Sequence, residues 1–230
     1  MAMAVKSAIL IPARIGSTRF PEKPLAILNG MPMVRRVYFN CLETGLDTFV
    51  LTDSKRVASL FPNGVALHEH WPYVNGTERC AGALDLPVLD HYERFINVQC
   101  DMPDVTATMI EHCLECLNHY PLSTVYTSNP KDDSVKLIRA GDQALWFSRN
   151  TTGYGEWHLG LYGYRRDALQ MYNKLEIPSE EDIEKLEQLR WLKNGWQMGC
   201  SSVQFNGIEI NTPDDIKTWQ NNIQEKDPDG

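Results

Sequence analysis

Residues 8–25 read Ala8-Ile-Leu-Ile-Pro-Ala-Arg-Ile-Gly-Ser-Thr-Arg-Phe-Pro-Glu-Lys-Pro-Leu25. The opening Ala8–Pro12 is a short apolar run, the pattern of a buried strand. A Gly/Pro-rich loop follows, from Ala13 to Asn29-Gly30. This loop carries Arg14, Arg19 and Lys23 beside Gly16, Ser17 and Thr18. Backbone N–H groups, hydroxyls and cations in one loop suit a polyphosphate, and a solvated basic loop is the plain alternative. The spacing is not that of a Walker A motif.

Outward from this stretch, strand and helix patterns alternate. Pro32 opens a helix with Val34, Val37, Tyr38, Cys41 and Leu42 on its apolar face, and Gly45 stops it. Thr48–Thr52 reads as a strand, with Asp53-Ser54 capping a short helix. Arg94–Gln99 is a third strand, Thr106–Tyr120 a helix and Ser123–Thr127 another strand. This order predicts an α/β fold, a doubly wound, mostly parallel and Rossmann-like sheet. Ligands in such sheets bind beyond the carboxyl ends of the strands, here the loops after Ile11 and Gln99.

From Val135 the pattern changes. Val135–Arg139, Ala144–Phe147 and Leu159–Tyr164 read as a small antiparallel section. A single helix is expected from Ser179 as N-cap to near Gly195, with Ile183, Leu186 and Leu189 on its apolar stripe. Tyr162 and Tyr164 are expected on opposite faces of their strand, both structural. The last helix starts at Thr212-Pro213. With no repeat and no linker, residues 1–230 are expected to form one domain.

The formal net charge of -8 argues against nucleic-acid binding, which needs a basic surface. No apolar run is long enough for a membrane span, and no signal peptide is visible. Six scattered cysteines do not form a disulfide framework, so a cytoplasmic protein is expected. Cys113-x-x-Cys116 falls on the Met109, Ile110, Cys113, Leu117 stripe and reads as helix core, not half of a zinc site.

The stretch Pro12–Leu25 closely resembles the signature P-A-R-x-x-S-T-R-L-P-G-K-P-L of the 3-deoxy-manno-octulosonate (Kdo) cytidylyltransferases, the CMP-Kdo synthetase family. Phe20 and Glu22 stand where the family has Leu and Gly. Asn75-Gly-Thr-Glu-Arg79 resembles S-G-T-E-R, and Asn97-Val-Gln-Cys-Asp-Met-Pro103 resembles N-V-Q-G-D-E-P. Phe147-Ser-Arg149, His158–Arg165, Leu186-Glu-Gln-Leu-Arg190 and Asn211-Thr-Pro-Asp-Asp215 match further motifs in family order. A chance match to all of them in order is remote.

The resemblance implies CTP plus a Kdo-like sugar acid going to a CMP-sugar and pyrophosphate, with Mg²⁺ as cofactor and a homodimer as assembly. It implies phosphate-binding roles for Arg14 and Lys23, with Ser17 and Arg19 nearby. Asn75, Gly76, Thr77, Arg79 and Gln99 would serve the nucleotide. Arg149, His158, Glu187 and Gln188 would hold the sugar acid, and Asp101 and Asn211 would hold the metal. Two alternatives stand beside it: a catalytically impaired binding homologue, and a nucleotidylyltransferase for another sugar.

Several departures from the family pattern gather around the metal. Asn211 replaces an acidic ligand, Cys100 a glycine and Met102 a glutamate. Glu209, Asp214 or Asp215 would compensate for Asn211 unless the aspartates cap the last helix. The stretch Arg149–Trp157 is much shorter than its family counterpart, in the region where family dimers meet.

Overall fold

The computed structural model describes residues 5–16, 20–68, 73–129, 134–149 and 151–226, with side chains to 222. In chain order the first half contains β1 (Ser7–Pro12), β2 (Ile27–Leu28), β3 (Met31–Pro32), α1 (Met33–Leu42), β4 (Asp47–Thr52), α2 (Lys55–Ala58), β5 (Ala66–His68), α3 (Gly76–Ala83), β6 (Arg94–Val98) and α4 (Ala107–Cys116). The second half contains β7 (Leu122–Thr127), β8 (Lys136–Ala140), β9 (Gln143–Ser148), β10 (Glu156–Arg165), α5 (Arg166–Met171), α6 (Ser179–Glu184), α7 (Leu189–Lys193), β11 (Met198–Ser202) and α8 (Pro213–Lys226).

The large sheet runs β5-β4-β1-β6-β10-β7-β11-β9-β8. β1 pairs in parallel with β4 on one side and β6 on the other. The chain therefore leaves β1 toward one edge and returns on the opposite flank. That reversal opens a crevice at the carboxyl ends of β1 and β6. β10 then inserts antiparallel between β6 and β7, and antiparallel pairing dominates the remaining edge.

Strand alternation divides the core. Ala8 and Leu10 of β1 face one layer with Cys80 of α3, Leu169 of α5 and Trp191 of α7. Ile9 and Ile11 face the other, with Val34 and Val37 of α1 and Ile110 and Cys113 of α4. Helices cover both faces, as the α/β reading requires. Burying each such aliphatic side chain stabilises by about 1.5–3 kcal/mol, so the strand that presents the cationic loop is firmly anchored. Local capping agrees with the residue types. Ser54 Oγ accepts the Val57 N–H at 3.4 Å and Thr106 Oγ1 the Met109 N–H at 3.3 Å. Cys113 is fully buried, and its thiol contacts Ser123 Oγ at 3.2 Å.

Two expectations change. The helix expected from Ser179 to Gly195 is two short helices. Lys185 adopts φ 54, a left-handed conformation that ends α6. Ile183 is 72% exposed, so the apparent stripe never faces a core there. Tertiary bonds hold the break: Arg190 clamps Glu181 with contacts of 2.8 and 2.6 Å. Glu184 accepts from Ser148 Oγ at 3.0 Å and Arg149 N at 2.8 Å. The second change is at Tyr162 and Tyr164. Residues two apart in a strand share a face, and their rings stack at 6.4 Å with an interplanar angle of 14°.

Candidate active site

A cavity of about 540 Å³ opens at the carboxyl ends of β1 and β6. At one end stand Arg14 and Lys23, from the loop after β1, and Asp101, from the turn after β6. The loop is tied back at its start, where Ala13 N donates to Leu51 O at 2.8 Å and Thr52 Oγ1 to Ala13 O at 2.8 Å. It closes on itself where Glu22 N donates to Ile15 O at 3.2 Å. Glu22 sits at φ 57, a left-handed backbone that explains why glycine suits this position; an ion pair to Arg56 accompanies it. Ser17 and Arg19 lie outside the described residues.

Lys23 Nζ lies 2.6 Å from Asp101 Oδ2, with both side chains mostly buried. Arg14 Nη1 donates to Val74 O at 3.3 Å, at the cavity rim. The end therefore holds two cations and one carboxylate, a charge balance that favours an anion such as a polyphosphate.

Asn211 is brought beside Asp101 because Ile210 N donates to Asp101 O at 2.9 Å, and both side chains line the cavity. Asp215 does not compensate for the missing carboxylate. Its Oδ2 takes Asn211 N, Thr212 N and Thr212 Oγ1 at 2.7–3.0 Å, capping α8. Asp214 pairs with Lys217 on the surface, and Glu209 is not on the cavity wall. Among the described residues no group of three His, Cys, Asp or Glu side chains is placed to hold a metal. The donor set fits Mg²⁺ shared with phosphate oxygens and water, with one carboxylate and one amide oxygen from the protein, and does not fit a full protein cage. Cys100 does not have the left-handed backbone that would demand glycine. Burial pushes its thiol up to about 12, so it stays protonated and is no thiolate ligand. Met102 is fully buried in the core, away from the cavity.

The floor is built by the start of α3. Asn75 caps it, with Oδ1 accepting Glu78 N at 2.8 Å, while its Nδ2 donates to Tyr172 OH at 3.2 Å. A Cβ on Gly76 would lie 3.0 Å from Gln99 Nε2, so glycine here allows close packing under the cavity. Gln99 donates to Asn97 Oδ1 at 3.2 Å. Arg79, only 3% exposed, lies 3.6 Å from Asp53 and still reaches the wall.

The other end is formed by the α6–α7 break together with Arg149. Glu187 and Gln188 stand on the wall. Burial raises the Glu187 carboxyl to about 7 against the pull of hydrogen bonds from Thr77 N–H and hydroxyl. Gln188 is 2% exposed, and its Nε2 has no hydrogen-bond partner among the described residues. An orphaned buried donor on a cavity wall is a ready contact for a ligand oxygen. Arg149, also on the wall, donates Nε to Glu184 O at 3.0 Å and Nη2 to Lys185 O at 3.5 Å.

Two of the expected site residues lie off the cavity wall. His158 is 4% exposed and does not line the cavity; its ring packs between Phe147 and Tyr162. Thr124 gives its own proton to Leu161 O at 2.7 Å, so His158 Nε2–H donates to Thr124 Oγ1 at 2.9 Å. Burial and then the Arg149 charge hold the ring down to about 3, so it is neutral. Thr77 is 1% exposed and also lies behind the wall. Two residues were not anticipated: Tyr162, on the wall, and Arg190, which fixes the break beneath it. Same-face alternation with Tyr164 was the available signal for Tyr162; Arg190 carried none.

This geometry has close counterparts. The family model described as cytidylyltransferase matches residues 8–204. The chain belongs to the cytidylyltransferase family. The 8-amino-3,8-dideoxy-manno-octulosonate cytidylyltransferase of Shewanella sp. (strain ANA-3) is 34% identical to this cytidylyltransferase, covering 94% of this chain and 97% of that protein. The protein of the same name from Shewanella frigidimarina (strain NCIMB 400) is also 34% identical, over 93% and 96% of the two chains. The solved structure of CMP:2-keto-3-deoxy-manno-octonic acid synthetase complexed with CTP superposes with a TM-score of 0.86 at 29% identity, covering 96% and 99%. A putative glucose-1-phosphate thymidylyltransferase from Bacillus anthracis shares the fold, with a TM-score of 0.68 at 13% identity.

Proposed function

We propose that this cytidylyltransferase activates a Kdo-type 3-deoxy sugar acid with CTP, releasing pyrophosphate. The observation that carries the reading is one cavity joining the Arg14–Lys23–Asp101 end to the Arg149–Glu187–Gln188 end. The triphosphate lies along the cationic end, and the sugar acid lies against Glu187 and Gln188. Arg149 meets the sugar carboxylate. Asn75, Gly76, Arg79 and Gln99 form the floor under the nucleoside.

The anomeric hydroxyl attacks the α-phosphorus in line. A new P–O bond forms as the bond to the pyrophosphate oxygen breaks, and the hydroxyl proton passes to solvent. Arg14 and Lys23 offset charge on the departing pyrophosphate. Asp101 and the Asn211 amide oxygen would hold Mg²⁺, which when bound polarises the phosphate oxygens. No covalent enzyme intermediate is required.

Among the described residues no helix is long and apolar enough to cross a membrane, and all six cysteines are free. Both fit a cytoplasmic enzyme. Exposed Leu145 and Tyr154, near the Arg149–Trp157 stretch, suit contact with a second copy.

The test is a product assay by mass spectrometry with CTP, Mg²⁺ or Mn²⁺, and a panel of 2-keto-3-deoxy sugar acids that includes the 8-hydroxy and 8-amino forms. A CMP-sugar whose formation collapses in Asp101→Ala supports the reading. Tight nucleotide binding with no product from any sugar favours the impaired homologue, and turnover with UTP or GTP in place of CTP overturns the base assignment.

A further inference from the structure

Beneath the cavity floor lies a line of buried polar groups that packing alone does not require. Asn97 is fully buried in β6, and Tyr164 and Thr77 are each 1% exposed. Uncompensated polar groups at such depth are strongly destabilising, so their hydrogen bonds must be complete.

The donors run in one direction. Gln99 Nε2 donates to Asn97 Oδ1 at 3.2 Å, and Asn97 Nδ2 donates to Tyr164 OH at 3.3 Å. Tyr164 OH and Thr77 Oγ1 are 3.0 Å apart. Thr77 gives its backbone N–H to Glu187 Oε2 at 3.1 Å. Asn97 Nδ2 can only donate, so the Tyr164 hydroxyl proton goes to Thr77 Oγ1. The line therefore ends on the Glu187 carboxyl group, which accepts the Thr77 N–H. The two ends of the line, Gln99 and Glu187, both stand on the cavity wall, while the middle members do not.

We propose that Tyr164 and Thr77 are positioning residues: they aim the Glu187 carboxyl group at the sugar-acid end without touching substrate. This rests on the cytidylyl-transfer reading for its kinetic consequence, and it reassigns Thr77 from substrate contact to support. The titratable groups facing Glu187 are Glu181 of α6, Arg190 of α7, Tyr162 and Tyr164 of β10, and Tyr172 after α5. Glu181 is already clamped by Arg190. Thr77 is therefore the neutral partner that sets the carboxylate's orientation.

Two measurements test this. The Glu187 side-chain carboxyl is titrated by ¹³C NMR, assigned with Glu187→Gln, in the parent, Tyr164→Phe, Thr77→Val and Thr77→Ser. The KM for sugar acid and for CTP is measured in the same set. Loss of one buried hydrogen bond is expected to raise the sugar-acid KM about three- to tenfold, with the CTP KM unchanged. The Glu187 titration midpoint should rise in Tyr164→Phe and Thr77→Val and return toward the parent in Thr77→Ser. An unmoved midpoint in Tyr164→Phe and Thr77→Val overturns the proposal. So does a rise of both KM values together with a fall in melting temperature, the signature of general loosening. If no sugar acid turns over, the cytidylyl-transfer reading fails, and the NMR titration still decides the positioning role.

Discussion

Replacing Glu187 by Gln isolates what it takes to charge a carboxyl group in the cavity wall. Burial raises this carboxyl from 4.5 to about 7, opposed by the Thr77 N–H and hydroxyl and reinforced by Glu181. The folded value lies above the unfolded one, so the folded state binds more protons between these limits. The low-pH stability is therefore lost as pH climbs from 4.5 to about 7. That interval of roughly 2.5 pH units corresponds to about 3 kcal/mol at ~1.36 kcal/mol per unit, an upper limit for a side chain partly open to solvent. Gln keeps an oxygen for Thr77 and never ionises. The variant should match the parent below pH 4.5 and exceed it by up to about 3 kcal/mol above about pH 7. In a chain of this length that raises Tm by roughly 6–12 °C. Thermal denaturation of both proteins, scanned from acid to mildly alkaline buffer, reads the gap directly. Activity should fall in the same variant, because the carboxylate proposed to orient the sugar acid is gone. A stability gap that stays constant with pH, or a parent more stable than the variant above neutrality, would refute the burial argument.

The proposed metal end gives a second prediction. Asn211→Asp adds a second carboxylate beside Asp101 and should tighten Mn²⁺ binding in the presence of CTP by about tenfold, read as loss of free Mn²⁺ signal in EPR. Lys23→Ala removes the ion-pair partner of Asp101 and a cation proposed to face the phosphates; kcat/KM for CTP should drop about 10²- to 10³-fold in a pyrophosphate-release assay. Gly76→Ala places a methyl group 3.0 Å from Gln99 Nε2 and displaces that side chain from Asn97. The expected result is a KM for CTP about fivefold higher, with little change in kcat.

The strands that deliver the site were legible because their signals are local. Ala8–Pro12 is continuous apolar sequence and becomes β1 within a residue, and Arg94–Gln99 likewise becomes β6. Ser54 and Thr106 cap the helices they precede, because a side-chain oxygen one residue before a helix needs no tertiary help. The pairing of β10 between β6 and β7 was not legible, since strand order depends on contacts far apart in sequence. The break at Lys185 was hidden for a related reason. Apolar residues at helical spacing continue through it, and only the distant bonds of Glu184 to Ser148 and Arg149 show why the helix stops.

His158 illustrates the limit of a motif. Its segment matches the family, yet the ring sits behind Tyr162, and burial leaves it neutral. A sequence pattern fixes which side of a strand a residue takes, not how deep that side lies.

Taken by itself, the amino-acid order settled the α/β class, the cationic loop after the first strand and the acidic turn after another, because periodicity and turn chemistry act over a few residues. Which of those groups meet was decided by the assembled sheet. Lys23 and Asp101, 78 positions apart, touch only because β1 and β6 are parallel neighbours. The Glu187 carboxyl is pushed up only where the surrounding wall removes it from water, against the hydrogen bond from Thr77, 110 residues away. Proximity and desolvation are properties of the packed chain, and no local pattern encodes them.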